Sequence, residues 1–180
     1  VLFRSYGSSD QVTINGYFNQ AATQIEQFKF SDGVTWSVAD IKTKAVFKGT
    51  SGNDTLVGTA ANDTFDGGAG TDTLRGGAGN DTYKFGLGYG TDTIQDNDTT
   101  VGNVDVLQFL SGTTIDQLWF KQSGNHLEVS IIGTSDKAVI ADWYLGSQYH
   151  VEQFKTSDGK TLLDTQVQNL VSAMAGFEIG

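Results

Sequence analysis

The stretch that decides the fold reads GTSGNDTLV (49–57), GTAANDTFD (58–66), GGAGTDTLR (67–75) and GGAGNDTYK (76–84), a run of nines. After a two-residue insertion, Phe85-Gly86, a fifth unit follows as LGYGTDTIQ (87–95). The sixth position of every unit is aspartate: Asp54, Asp63, Asp72, Asp81 and Asp92, at spacings of 9, 9, 9 and 11 residues. Each is followed by Thr and then by a large apolar residue, Leu56, Phe65, Leu74, Tyr83 or Ile94. A fixed period of this kind marks a stacked repeat, in which each coil of chain lies on the one before.

The unit divides into six turn residues and three strand residues. Glycines at positions 1, 2 and 4 allow the backbone to turn tightly through positive φ. In such a turn successive carbonyls point to alternate sides, and the aspartate adds a carboxylate. A hard cation takes roughly six to eight oxygens at about 2.3–2.6 Å, so stacked turns of this composition suit calcium better than magnesium, which demands a tighter octahedron. The strand part supplies one inward apolar side chain per unit. Its burial contributes ~1.5–3 kcal/mol, against ~1–2 kcal/mol for ordering the backbone of each residue. The array is therefore expected to be largely disordered without calcium and to fold on binding it.

If one coil uses two units, units one, three and five stack, and so do two and four. Leu56, Leu74 and Ile94 then form an aliphatic ladder on one sheet, and Phe65 and Tyr83 an aromatic pair on the other. Calcium is expected between turns two units apart: Asp54 with Asp72, Asp63 with Asp81 and Asp72 with Asp92, about three ions. Carbonyls of lower-turn positions 1, 3 and 5 and upper-turn positions 2 and 4 complete the shells. These are Gly49, Ser51 and Asn53 with Gly68 and Gly70; Gly58, Ala60 and Asn62 with Gly77 and Gly79; and Gly67, Ala69 and Thr71 with Gly88 and Gly90. The sites are not equal. Unit one has Thr50, unit two has Ala60-Ala61, and unit five follows the insertion, which makes the Asp72–Asp92 pair the least regular.

A second repeat is longer. Residues 7–35 and 133–161 align without a gap at an offset of 126, with IEQFKFSDGVT (25–35) matching VEQFKTSDGKT (151–161). The chain is thus expected to run as a β module (1–48), the nonapeptide array (49–98), and a hairpin linker with a second copy of the module (99–180). Strands are expected at Gln11–Tyr17, Gln24–Phe30, Val104–Leu110, Leu118–Gln122 and Leu127–Ile132, with a turn at Ser31-Asp32-Gly33 and a helical turn at Ser37–Lys42. Near the end Asp164 reads as a helix N-cap, ahead of Val167, Leu170, Val171 and Met174 on a single apolar stripe. The fold class is all-β with one short C-terminal α-helix.

Composition narrows the function. Among 180 residues, 21 Asp and Glu face 11 Lys and Arg, for a formal net charge of −10, which argues against a nucleic-acid partner. Apolar runs fall far short of the ~18 residues that cross a bilayer. With no cysteine, disulfides, thiolate zinc sites and cysteine nucleophiles are excluded. No N-terminal signal is evident, and Val1 reads as the middle of a strand, as in a fragment of a longer protein. Asp96-Asn97-Asp98 lacks the remainder of an EF-hand and is at most a cap on the array; Asp32 and Asp158 precede glycine in turns. His126 and His150 belong to no metalloprotease motif, no nucleophile elbow exists, and both histidines read as structural. The chain is accordingly read as non-enzymatic. Trp36, Trp119, Trp143, Tyr17 and Tyr144 are read as core rather than as a sugar-stacking face.

The nonapeptides resemble the repeats-in-toxin (RTX) family, the haemolysin-type calcium-binding repeat; GGAGTDTLR and GGAGNDTYK meet its pattern throughout. The flanking IEQFKFSDGVTW and VEQFKTSDGKT resemble the haemolysin-type calcium-binding-related module, and LVSAMAGF resembles the tails of such proteins. This resemblance implies a right-handed parallel β-roll in a bacterial protein exported by type I secretion and folded in extracellular calcium, with the signal uncleaved and C-terminal. The ending Phe177-Glu178-Ile179-Gly180 lacks the acidic and hydrophobic terminus of many relatives. The reading that follows is a calcium-dependent folding and secretion module at the C-terminal end of a larger secreted protein, whose partners are calcium, the type I secretion machinery and upstream domains. The alternative is a calcium-dependent adhesion or glycan-binding module at the cell surface.

Overall fold

A computed structural model describes residues 2–4, 11–13, 27–31, 33–40 and 46–177. They fall into two units, Val1–Ala45 and Val46–Gly180.

In the first unit β1 (Leu2–Arg4) pairs antiparallel with β2 (Gln11–Thr13), and β3 (Gln27–Lys29) with β4 (Thr35–Ser37). Gly33, at a φ of 86°, turns the second hairpin, and Phe30 meets Trp36 edge to face at 4.8 Å. A helical turn follows at 38–40, where the Ser37 hydroxyl accepts the Asp40 N–H at 3.2 Å. Asp32, Tyr17 and the rest of the expected strands Gln11–Tyr17 and Gln24–Phe30 lie outside the described residues.

The second unit is a parallel β-roll closed by antiparallel strands. Short strands β5 (Val46–Lys48), β6 (Thr55–Val57), β7 (Thr64–Asp66), β8 (Thr73–Arg75), β9 (Thr82–Phe85) and β10 (Thr91–Gln95) fall alternately on two facing sheets. Inward residues alternate with more exposed ones along each strand, as at the buried Phe65 of β7 between half-buried Thr64 and Asp66, because side chains alternate across a strand. Parallel pairing runs β6–β8–β10 on one sheet and β5–β7–β9 on the other, so each coil uses two units. The expected aliphatic ladder is present, with Leu56 opposite Leu74 and Leu74 opposite Ile94. The aromatic pair gains a third member: Phe47 stacks on Phe65 at 5.1 Å, and Phe65 on Tyr83 at 5.2 Å.

The coiling does not stop at the fifth unit. β11 (Val106–Phe109) lies parallel on β9, and Leu107 faces Tyr83. The chain then makes the hairpin β12 (Leu118–Ser123) and β13 (His126–Ile131) and returns as β14 (Lys137–Ile140), parallel to β10 with Ile140 opposite Ile94. β15 (Gln153–Lys155) lies parallel on β11, and β16 (Thr161–Leu163) turns back antiparallel to it. The offset of 126 relates these pairings to those of the first unit. Leu2 faces Thr13 as Glu128 faces Val139, and Gln27 faces Ser37 as Gln153 faces Leu163.

The helix α1 (Asp164–Met174) packs on β12 and β16, with Val167 and Val171 buried and Leu170 and Met174 partly so. Asp164 is its first helical residue and not the N-cap: Leu163 keeps the extended conformation of β16, and the Gln166 side chain accepts the Leu163 N–H at 3.0 Å. The Asp164 carboxylate goes instead to His150, at 3.2 Å. One core runs from Phe47 and Leu56 at the first coil to α1. Among the described residues no helix is long and apolar enough to cross a membrane.

Candidate metal centre

The loops that join the two sheets stack in two columns. One column holds residues 49–54, 67–72, 86–90 and 132–136; the other holds 58–63, 76–81, 96–105 and 141–152. Within each column the acids are tied by a repeated pair of hydrogen bonds. The Asp54 N–H donates to Asp72 Oδ1 at 2.8 Å, while the Thr73 N–H donates to the Asp54 carbonyl at 2.8 Å. The Asp72 N–H reaches Asp92 Oδ1 at 3.0 Å, and the Asp63 N–H reaches Asp81 Oδ1 at 2.8 Å. Thus the three expected pairs, Asp54–Asp72, Asp63–Asp81 and Asp72–Asp92, are each brought together; the insertion before unit five does not break the register.

Glycine at positions 2 and 4 serves the stacking. Gly68, Gly70, Gly77, Gly79, Gly88 and Gly90 all have positive φ. A Cβ on Gly70 would stand 2.7 Å from the Gly52 carbonyl oxygen below it, and one on Gly79 at 2.7 Å from that of Ala61. Position 1 departs from expectation. Gly49, Gly58, Gly67 and Gly76 do not have positive φ; they are glycine because a side chain would collide with the turn's own aspartate, and at Gly49 and Gly58 also with the carbonyl of the turn above. The first turn of each column has nothing of the array beneath it and is built differently. Thr50 and Thr59 donate both N–H and hydroxyl to Oδ2 of Asp54 and Asp63, at 2.6 and 2.9 Å in each case. Unit two accordingly tolerates Ala60-Ala61, since no residue there needs positive φ.

Among the other expected positions, Asn53 and Asn62 carry a second ladder through their side chains. Asn53 Oδ1 accepts the Thr71 N–H and Asn62 Oδ1 the Asn80 N–H, both at 2.9 Å. Ser51, Ala60 and Ala69 lie at position 3 of turns 49–54, 58–63 and 67–72. Each column also continues through acids outside the nonapeptides. The Asp81 N–H donates to Asp105 Oδ1 at 2.7 Å, and the Asp105 N–H to Glu152 at 2.7 Å. Asp136 accepts from Gly88 and Gly90 at 2.9 and 2.8 Å. Their signal was an acid two residues before an inward apolar side chain, as in Asp105-Val106-Leu107 and Glu152-Gln153-Phe154. Asp96, expected at most as a cap, is buried, while Asp98 accepts the Gly79 N–H at 3.1 Å.

The electrostatics are one-sided. Asp63, Asp72, Asp81, Asp92, Asp96 and Asp105 are all at most 2 % exposed. Five of them keep a buried carboxylate oxygen without a hydrogen-bond partner: Asp63 Oδ1, Asp72 Oδ2, Asp81 Oδ2, Asp92 Oδ2 and Asp96 Oδ1. Among the described residues the ion pairs involve Asp66, Asp142, Glu128, Asp164 and Asp158, and none of the stacked acids. Burial, then crowding by like charges, pushes Asp81 and Asp92 up to about 7 and Asp105 up to about 8. Burial likewise raises Asp72, Asp96 and Glu152. An unpaired buried carboxylate costs several kcal/mol, on the order of the stability of a small domain. Oxygen-only, carboxylate-rich and uncompensated, the columns fit a hard divalent cation.

The other residues singled out in the sequence make local contacts. His150 stacks on buried Trp143 at 3.9 Å and bonds to its carbonyl at 3.1 Å. His126 Nδ1 accepts the Asp142 N–H at 2.9 Å. Asp158 braces its turn through Thr156 and Lys160. Tyr144 packs against the core; Trp119 is half-buried on β12.

Comparison with known proteins agrees with this geometry. Residues 48–83 match the RTX calcium-binding nonapeptide repeat (4 copies), and residues 5–40 and 126–166 match the haemolysin-type calcium binding protein related domain. The chain is 36% identical over 87 residues to the iron-regulated protein FrpA of Neisseria meningitidis serogroup C, a stretch covering 47% of this chain and 8% of that protein. Among solved structures it is similar to the extracellular lipase LipA from Serratia marcescens, at 22% identity and a TM-score of 0.36, over 64% of this chain and 20% of that one. The chain thus carries RTX calcium-binding nonapeptide repeats, coiled into a parallel β-roll, with a segment of the haemolysin-type calcium binding protein related domain before and after them in the sequence.

Proposed function

We propose that this chain is a calcium-dependent folding module near the C-terminal end of a larger bacterial protein that is exported by type I secretion and folds outside the cell. The observation that carries the reading is the set of five buried carboxylate oxygens without a partner. A fold that crowds such groups is stable only when positive charge enters with them. Calcium bound in the columns supplies that charge. Asp54 with Asp72, Asp63 with Asp81, and Asp72 with Asp92 would hold about three ions, with turn carbonyls completing the shells. In a cytosol poor in free calcium the roll would then stay unfolded and pass through a secretion channel; millimolar extracellular calcium would fold it on arrival. The upstream part of the parent protein would carry the activity that the module delivers.

Circular dichroism at neutral pH tests the reading. The calcium-free chain is expected to show little β-structure and to gain it cooperatively as calcium rises to millimolar, reversibly on chelation. A spectrum already β-rich in calcium-free buffer at pH 8, unchanged on titration, would refute it.

A further inference from the structure

We propose that the fourth nonapeptide and the long turn above it build a separate cation site from three side-chain carboxylates, Asp81, Asp96 and Asp105, taking a calcium ion beyond those held by the paired aspartates. The inference rests on the calcium-binding reading above and adds a site outside the regular repeat. One carboxylate oxygen from each of the three acids lies within 4.8 Å of the other two. The acids are 0, 2 and 0 % exposed.

Each carboxylate is oriented by a donor. Asp105 Oδ1 accepts the Asp81 N–H at 2.7 Å, and its Oδ2 accepts the Asn103 amide at 3.1 Å. Asp81 Oδ1 accepts the Asp63 N–H at 2.8 Å, and Asp96 Oδ2 accepts the Tyr83 hydroxyl at 2.6 Å. What is left over is Asp81 Oδ2 and Asp96 Oδ1, both buried and both without a partner. Gly76 floors the cluster: a Cβ there would strike Tyr83 Oη and Asp81 Oδ2 and come 2.9 Å from Asp96 Oδ2.

This differs from the regular arrangement. Asp96 occupies the first position of its turn, where every stacked nonapeptide of the column has glycine and therefore no side-chain ligand. Tyr83 is the one inward residue of the five units with a hydroxyl, and the hydroxyl goes to Asp96. Three carboxylates in place of two carry more ligand charge, and calcium affinity rises with that charge. This site is therefore expected to bind the first and tightest ion.

The test counts ions on the full chain by native mass spectrometry and titration calorimetry with calcium alone. Asp96→Asn is expected to bind one calcium fewer and to lose the tightest phase at least tenfold, with the β-rich spectrum kept at saturating calcium. An unchanged count and unchanged tight phase would overturn the site while leaving calcium-dependent folding intact. A wild-type chain that binds no calcium would overturn both. Should Asp96→Asn fail to fold, Tyr83→Phe decides, because it keeps the ring and removes only the bond to Asp96. Weakening of the tightest phase alone supports the site, and no change there sinks it.

Discussion

At the scale of single residues, the same repeat position carries different loads in different coils. Gly52 and Gly70 both stand fourth in their turns. Gly70 has a φ of 142° and would press a Cβ against the Gly52 carbonyl, whereas the Cβ of an alanine at Gly52 would meet only the Thr50 hydroxyl, at 3.8 Å. Gly70→Ala is therefore expected to cost about 1–3 kcal/mol, as overpacking does, and Gly52→Ala about 0.5 kcal/mol or less. Urea unfolding at saturating calcium separates them, and equal losses would contradict the stacking. The raised acids give a second outcome. Asp81, Asp92 and Asp105 have folded-state values of about 7, 7 and 8, above the ordinary carboxylate value. The calcium-free roll therefore holds more protons than the unfolded chain, so its stability is greatest below about pH 4 and falls as pH rises to about 8. Calcium must displace those protons, so its affinity should rise over the same window. Circular dichroism in calcium-free buffer should show more β-structure at pH 5 than at pH 8; the reverse order would contradict the burial of these groups.

At the scale of elements, the nonapeptide strands are legible because a D-T-apolar triplet recurs in every unit and places each one, whereas the two-unit coil enters the sequence reading as a condition that the strand pairing meets. What escaped was the continuation. The turns 96–105 and 141–152 are longer than six residues, so Asp105 and Glu152 fall out of the nine-residue period although they stack in it. Phe47 escaped because it precedes the first turn and has no aspartate before it, yet it extends the aromatic stack. The spacing marks Asn53 and Asn62 only through their backbone carbonyls, because it does not reveal that each side chain accepts an N–H from the coil above. Burial climbs along the stack. Leu56 is only half-buried, whereas Leu74 and Ile94 are 1 % exposed and Ile140 is 0 % exposed. Exchange protection tracks local burial and contact. Amide hydrogen exchange at saturating calcium is thus expected to be slowest in β10, β11, β14 and β15 and fastest in β5 and β6. A flat profile would show that the coils open as one.

At the scale of the whole molecule, a roll of short parallel strands has an open edge at each end of both sheets, and each repeat is stable only against a neighbour. The C-terminal end is closed by a piece of different design: β12, β13 and β16 turn the sheets antiparallel, and α1 lays Val167 and Val171 on the same core. The sequence announces this closure only faintly, through the apolar stripe of α1, since nothing in the VEQF segment says that its strand docks on Leu107. Loss of residues 111–180 would strip β14 from β10 and β15 from β11, uncovering Ile94 and Leu107 together with the two pairing edges. It would also remove Glu152, which accepts the Asp105 N–H, and Asp136, which holds the turn of Gly88 and Gly90. All five nonapeptides would remain. If repeat content alone set the calcium response, residues 1–110 would fold at the same calcium concentration as the full chain. Because the last coils are the best-buried ones, the shortened chain is instead expected to need at least tenfold more calcium or to stay unfolded at 10 mM. Parallel calcium titrations of the two chains by circular dichroism decide between these outcomes, and coincident midpoints would show that the roll needs no closure.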